Sequence, residues 1–83
     1  LKVLSMYRSY HGSTMGAITL TGEARRLDNE PGMPGAVKFF GPYLYRSEFA
    51  ATTEEEECER ALAHLRAVVR SEGPDRVAAI VLE

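Results

Sequence analysis

The chain has 83 residues, of which 45% are hydrophobic and 27% are charged, with a formal net charge of -2. A chain of this length forms at most one domain and buries only about 60% of the surface that its unfolded form exposes. The chain has ten basic and twelve acidic residues, and no basic stripe is visible. The sequence therefore gives no basis for nucleic-acid binding through attraction to phosphates. No apolar stretch approaches the roughly 20 residues that span a bilayer.

The single cysteine and the chain ends add two expectations. Cys58 has no partner for an internal disulfide, and the N-terminus lacks the pattern of a signal peptide, so we expect a reducing, cytoplasmic setting. The sequence starts at Leu1 and stops inside the strand-like run "VAAIVLE". We therefore expect residues 1–83 to be part of a longer protein and incomplete at both ends.

The first third of the chain predicts a strand, a junction and a short helix. Residues 2–7, "KVLSMY", are mostly apolar and typical of a buried strand. In residues 13–21, "STMGAITLT", Met15 and Ile18 share one face of a helix, and Ser13 is placed to cap its free N–H groups. The junction between these elements contains a tyrosine, a histidine and a glycine in direct succession.

The middle of the chain is dominated by turn-forming residues. Residues 22–51 contain three of the four prolines and several glycines, which interrupt regular structure. A short strand is predicted over residues 37–39. Residues 37–49 hold many aromatic side chains, and we call them the aromatic loop. Aromatic side chains are costly to leave in water, so we expect this loop to lie against a partner or against the body of a larger fold.

The last third predicts a long helix and a strand. Thr53 and Glu56 have capping-box spacing, and an apolar stripe at helical spacing follows: Cys58, Ala61, Leu62, Leu65, Val68 and Val69. Gly73 ends the helix, and residues 76–82, "RVAAIVL", are typical of a strand buried on both faces. Strand, long connection, helix and strand in this order predict an α/β fold with a parallel sheet covered by helices.

Each candidate functional residue also has a structural interpretation. Tyr10 is explained by packing at a strand end, Gly12 by backbone geometry, and Glu83 either by the surface end of a strand or by a ligand site at that end. His11 has no second histidine or cysteine at a metal-binding spacing, and His64 falls on the polar side of the long helix, so we expect no metal site.

Two further interpretations concern the hydroxyl groups of the junction. The pentapeptide "GSTMG" has the spacing of a nucleophile elbow with Thr14 at its centre. However, Arg8 to Ser13 separate Thr14 from the strand, and no acid and histidine pair follows downstream. The alternative is an anion site at the helix N-terminus, formed by Ser13, Thr14 and free N–H groups, which is physically sound but unspecific.

Four blocks of the chain together resemble a known family. They are "VLSMYRSYHGSTMGAITLTGEARR", "NEPGMPGAVKFFGPYLYRSEF", "TEEEECERALAHL" and "GPDRVAAIVLE". In this order, and over essentially the whole chain, they resemble the class III aminotransferases (the omega or acetylornithine/ornithine type), which depend on pyridoxal 5'-phosphate. The resemblance implies an α/β fold, as part of the large, cofactor-binding domain of a fold type I transferase, with a mostly parallel sheet and helices on both faces.

The resemblance also implies roles for four residues. Tyr10 corresponds to the aromatic residue that stacks on the pyridine ring of the cofactor, and Gly12 to the glycine that lets the backbone pass close to it. His11 belongs to the same motif and supports it. Glu83 corresponds to the carboxylate on the substrate-binding face, which makes it the one catalytic candidate.

The implied activity is transfer of an amino group from an amine or amino-acid donor to a 2-oxo acid, in a homodimer of the full-length protein. The phosphate-binding loop, the aspartate that faces the pyridine nitrogen and the lysine that bonds the cofactor are expected outside these 83 residues. The chain by itself is therefore expected to be inactive. The alternative function is a non-catalytic interaction module that uses the aromatic loop.

Overall fold

The computed structural model describes residues 1–83, which form three strands and two α-helices in an α/β arrangement. The elements in chain order are β1 (Lys2–Met6), α1 (Met15–Leu20), β2 (Ala36–Phe39), α2 (Glu54–Glu72) and β3 (Val77–Val81). Three short 3-10 turns, Ala24–Asn29, Leu44–Arg46 and Pro74–Arg76, lie in the connections. None of the helices is long and apolar enough to cross a membrane.

The three strands form one parallel sheet in the order β2, β1, β3. Leu4 lies opposite Val37 on one side and Ile80 on the other. Leu4 is fully buried, and its strand is the central one, with a neighbouring strand on each edge. The predicted parallel sheet is confirmed, and its order places the carboxyl ends of β1 and β3 side by side.

Helix α1 forms where a helix was predicted, but the predicted burial of Met15 and the predicted N-cap residue are wrong. Ile18 is buried as expected, whereas Met15 is 60% exposed. The N-cap residue is Thr14, not Ser13, and its side chain makes no capping hydrogen bond. The prediction of a Ser13 cap is wrong because the Ser13 hydroxyl is paired with the hydroxyl of Tyr10.

Helix α2 begins at the predicted capping sequence. The backbone N–H of Glu56 donates to Thr53 Oγ1 at 3.1 Å, as in a capping box. The return hydrogen bond is displaced by one residue, since Glu56 Oε1 accepts from the N–H of Thr52 rather than from that of Thr53. The helix is capped by Gly73, whose φ of 93° favours glycine and whose N–H donates to Val69 O.

The segment after β2 is fixed to α2 by polar contacts that the sequence did not reveal. The buried carboxylate of Glu57 accepts hydrogen bonds from the backbone N–H of Tyr43 and from the Ser47 hydroxyl. The N–H of Phe40 donates to His64 Nε2 at 3.0 Å. The placement of His64 on the polar face of the helix was therefore wrong, since this half-buried ring faces the segment after β2.

The core is small. Its buried apolar residues are Leu4, Ile18, Phe39 and Ala61. Strand β3 was expected to be buried on both faces, but its three central residues are exposed, because β3 lies at the edge of the sheet and α2 leaves a gap beside Ile80. Most of the predicted apolar stripe of α2 is also only partly covered.

Candidate functional site

The junction after β1 and the end of β3 meet at the carboxyl edge of the sheet. The backbone N–H of Tyr10 donates to Glu83 Oε2 at 2.6 Å, although 73 residues separate the two in sequence. The contact follows from the strand order, since β1 and β3 are parallel neighbours and their carboxyl ends open on the same edge. Two of the residues singled out from the sequence are thus in direct contact where open α/β sheets bind ligands.

Contacts fix the side chain of Tyr10 at its hydroxyl and on one ring face. The Tyr10 hydroxyl lies 2.7 Å from the Ser13 hydroxyl. The guanidinium of Arg25 lies over the Tyr10 ring, with its central carbon 3.7 Å from the ring centroid. Arg25 is itself held by Glu23, whose Oε1 accepts from Arg25 Nε at 2.7 Å. The orientation of the ring is therefore set by contacts within the chain.

His11 is anchored through its backbone, and its ring nitrogen is left without a partner. The N–H of His11 donates to Oγ1 of Thr21, a fully buried residue, at 3.0 Å. The His11 Nε2 atom is buried and has no hydrogen-bond partner within the chain. Buried polar atoms are normally paired, and within residues 7–14 Nε2 is the one buried side-chain nitrogen or oxygen without a partner in this chain.

Gly12 has a structural reason that involves only this chain. Its φ is 125°, a conformation that residues with a side chain rarely adopt. A Cβ atom at this position would also lie 3.0 Å from the Ala17 side chain on α1. Backbone geometry and packing against α1 are thus sufficient to require glycine here, as the structural interpretation predicted.

Arg8 is a feature of this edge that the sequence did not predict. Its φ is 73°, a left-handed conformation that is uncommon for a long side chain. Its guanidinium lies over the Tyr43 ring, 4.3 Å from the centroid, and 3.6 Å from Glu48. A shallow groove lined by Met6, Tyr7, Arg8, Ser9 and Glu83 runs beside it. No residue pattern marks a left-handed arginine, so sequence inspection could not have found it.

Two side chains have shifted pKa values, and both lie away from this edge. Burial is the largest cause that lowers the pKa of Lys38, with Arg26 adding to the effect and Glu30 opposing it. Lys38 Nζ donates to the carbonyl of Thr19 at 2.6 Å. The pKa of Glu56 is lowered chiefly by the hydrogen bond from the Thr52 hydroxyl. These shifts belong to packing and to helix capping, respectively.

The remaining candidates from the sequence find no support in the geometry. Thr14 serves as the N-cap of α1, and no histidine or carboxylate hydrogen-bonds to its hydroxyl, so a nucleophile has no general base. No group of three or more histidine, cysteine, aspartate or glutamate side chains is arranged to hold a metal ion.

Comparisons with known sequences find aminotransferases. No protein-family model matches the chain. A probable aminotransferase of Mycobacterium tuberculosis is 36% identical over 84 residues, covering 99% of this chain and 18% of the relative. The taurine-pyruvate aminotransferase of Rhodobacter capsulatus is 32% identical over 83 residues, covering 99% of this chain and 17% of the relative. The chain thus spans less than a fifth of the length of these curated relatives.

A solved structure agrees with the sequence relatives. The taurine:2-oxoglutarate aminotransferase of Bifidobacterium kashiwanohense, in complex with pyridoxal phosphate and glutamate, superposes with a TM-score of 0.88 at 39% identity, covering 99% of this chain and 19% of that chain. The match in fold and the matches in sequence each cover 99% of this chain. Over nearly all of its length the chain is thus similar to one section of pyridoxal-phosphate-dependent aminotransferases, which confirms the predicted resemblance to the class III family.

Proposed function

We propose that residues 1–83 are part of the cofactor-binding large domain of a longer aminotransferase, which transfers an amino group from an amine or amino-acid donor to a 2-oxo acid. The observation that carries the proposal is the hydrogen bond between the Tyr10 N–H and Glu83 Oε2 at the carboxyl edge of the sheet. It joins the aromatic residue that would contact the cofactor to the carboxylate that would face the substrate.

The junction after β1 fits pyridoxal 5'-phosphate on two observations. The first is the half-buried ring of Tyr10, held in one orientation by Ser13 and Arg25. The second is the buried His11 Nε2 atom, which lacks a partner within the chain and would take one from the cofactor or from the rest of the full-length protein. Gly12 supports the fit less directly, because α1 alone explains it.

The residues of this chain would bind and orient rather than move protons. Pyridoxal phosphate supplies the electron sink that transamination needs. The flat ring of Tyr10 would fix the plane of the cofactor ring, and thereby the substrate bond that lies perpendicular to it. Glu83 would keep this platform at the edge of the sheet, because its Oε2 holds the Tyr10 backbone. We propose cofactor-binding roles for Tyr10 and His11, and for Gly12 as the residue that lets the backbone pass close to the cofactor.

Glu83 would act on the substrate side as well. Only one of its two carboxylate oxygens is engaged within the chain, which leaves Oε1 for a cationic group of the substrate or of the full-length protein. The groove beside Arg8 and Glu83 offers space for a small amine donor or a 2-oxo acid. We propose these as the two small-molecule partners.

Assembly and compartment are parts of the same proposal. Tyr43 and Tyr45 of the aromatic loop are 46% and 81% exposed, and a homodimer interface of the full-length protein would cover such rings. A cytoplasmic setting suits Cys58, which is an unpaired, exposed thiol. No observation favours the alternative of a non-catalytic interaction module.

A spectroscopic experiment on the full-length protein tests the proposed activity. After loading with pyridoxal phosphate, the absorbance band of the bound cofactor should fall on addition of an amine donor and return on addition of a 2-oxo acid. Tyr10→Ala should weaken cofactor binding by about tenfold, because a stacked aromatic contact and its buried area are lost. Tyr10→Phe should be mild, since the ring is retained. An absorbance band that stays unchanged with every amine donor would contradict the proposal.

A further inference from the structure

We propose that Arg25 is a positioning residue for the cofactor: it clamps one face of the Tyr10 ring and leaves the opposite face for the pyridine ring of pyridoxal phosphate. The inference deepens the proposed function and rests on it. It assigns a role to a residue that the sequence did not single out.

The first observation is the geometry of the contact. The central carbon of the Arg25 guanidinium lies 3.7 Å from the Tyr10 ring centroid, the shortest such distance among the four arginine and tyrosine pairs of the chain. At this separation the positive charge is attracted by the negative face of the ring. One face of Tyr10 is thus occupied by a group of this chain.

The second observation is that Arg25 is held in place. Glu23 Oε1 accepts from Arg25 Nε at 2.7 Å and from the Arg25 backbone N–H at 3.2 Å. The carboxylate binds the side of the guanidinium and leaves its flat surface for the ring. Glu23, Arg25 and Tyr10 form a chain of contacts, which we call the clamp.

The third observation is that the ring is fixed by contacts other than the clamp. The Tyr10 hydroxyl is paired with Ser13, and the backbone N–H of Tyr10 is bound by Glu83. These contacts restrain the position of the ring and the direction of its hydroxyl. Arg25 adds a restraint perpendicular to the ring plane, which is the restraint that a stacking platform needs because a tilted ring loses contact area.

The clamp predicts a specific effect on the cofactor. With Arg25 in place, the ring is ordered before the cofactor binds, so less conformational freedom is lost on binding. Removing the guanidinium should weaken the binding of pyridoxal phosphate by about two- to fivefold, the range expected for a solvent-exposed cation and aromatic pair. It should also change the circular dichroism of the bound cofactor, which reports the orientation of its ring.

The experiment measures the dissociation constant of pyridoxal phosphate and the circular dichroism of its absorbance band in the full-length protein. The variants are Arg25→Gln, which removes the cation, and Glu23→Gln, which loosens the clamp. Arg46→Gln is the matched control, because Arg46 lies over the exposed ring of Tyr45, 5.9 Å from its centroid, outside the site. We expect weaker binding and an altered dichroic band for both clamp variants and no change for the control.

Two results would overturn the inference. Unchanged affinity and dichroism in Arg25→Gln would show that the clamp does not position the cofactor. Tighter binding in Arg25→Gln would show that Arg25 competes for the face that the cofactor uses. Tyr10→Ala separates these outcomes from failure of the proposed function: if it weakens binding while Arg25→Gln does not, only the role of Arg25 is wrong. If Tyr10→Ala also has no effect, the cofactor platform itself is wrong.

Discussion

Two segments leave the same edge of the sheet, and their polar groups are used in opposite ways. Residues 40–53, after β2, direct theirs inward: Glu57 and His64 of α2 accept the backbone N–H groups of Tyr43 and Phe40. Residues 7–14, after β1, keep a half-buried aromatic ring and an unpartnered buried His11 nitrogen at the edge. The polar groups of the first arrangement are paired within the chain, whereas the second leaves His11 Nε2 without a partner in the chain. We propose that residues 7–14 serve binding, whereas the polar contacts of residues 40–53 serve structure.

The largest expected effect on stability is at Glu57. Glu57→Ala should lower the free energy of unfolding by about 2 to 3 kcal/mol, because the Tyr43 N–H and the Ser47 hydroxyl lose a charged acceptor in a buried site. Glu59→Ala, an exposed change on the same helix, should have little effect. Chemical denaturation of the full-length protein provides the measurement. If the two variants lowered the free energy of unfolding equally, the claim that Glu57 holds residues 40–53 in place would be wrong.

A smaller effect separates structure from function within residues 7–14. Gly12→Ala should destabilise the protein by about 1 to 2 kcal/mol, because its φ of 125° is strained for alanine and the new methyl would crowd Ala17. Gly16→Ala on α1 is the control, since nothing lies within 4 Å of the added Cβ atom. This control should be neutral or stabilising by up to about 1 kcal/mol, because alanine is the better helix former.

The two glycine variants also report on the cofactor. If Gly12→Ala reduced cofactor affinity without changing the unfolding transition, Gly12 would serve the cofactor directly and not the packing of α1. The two roles are distinguished by measuring, on the same samples, the thermal unfolding transition and the binding of pyridoxal phosphate by equilibrium dialysis. The family resemblance alone could not distinguish these roles, because it assigned Gly12 to the cofactor and did not reveal the contact of Gly12 with α1.

The smallest effect is a pH dependence at Lys38, which lies outside both segments. Burial lowers its pKa below the ordinary value of 10.5 in the folded protein. Between the lowered pKa and 10.5 the unfolded chain binds more protons than the folded one, so the free energy of unfolding rises with pH across this window. Lys38→Met should flatten that rise in denaturation curves recorded at several alkaline pH values. An unchanged slope would show that Lys38 is solvated.

The backbone plan was predictable from the sequence, but many side-chain contacts were not. Thr53, Glu56 and Gly73 mark the ends of α2 through local rules of helix capping, and these rules hold wherever the helix packs. The family resemblance also singled out Tyr10 and Glu83, whose roles remain predictions. Their contact depends on the order of the strands, which cannot be read from these two residues in the sequence.

The predictions that failed depended on distant neighbours. Met15 and His64 were assigned by periodicity, which fixes the face of a helix but not the element that packs on it. Arg25 was overlooked because an arginine within an irregular segment carries no pattern, and only the folded chain brings it over the Tyr10 ring. Long-range packing, rather than local propensity, decides these positions.

The most direct test of the central claim is a crystal structure of the full-length protein with pyridoxal phosphate bound. We predict that the pyridine ring lies on the face of Tyr10 opposite Arg25, with the Tyr10 N–H still bound to Glu83. A cofactor bound away from Tyr10, such as against Tyr43 and Tyr45 of the aromatic loop, would contradict the account.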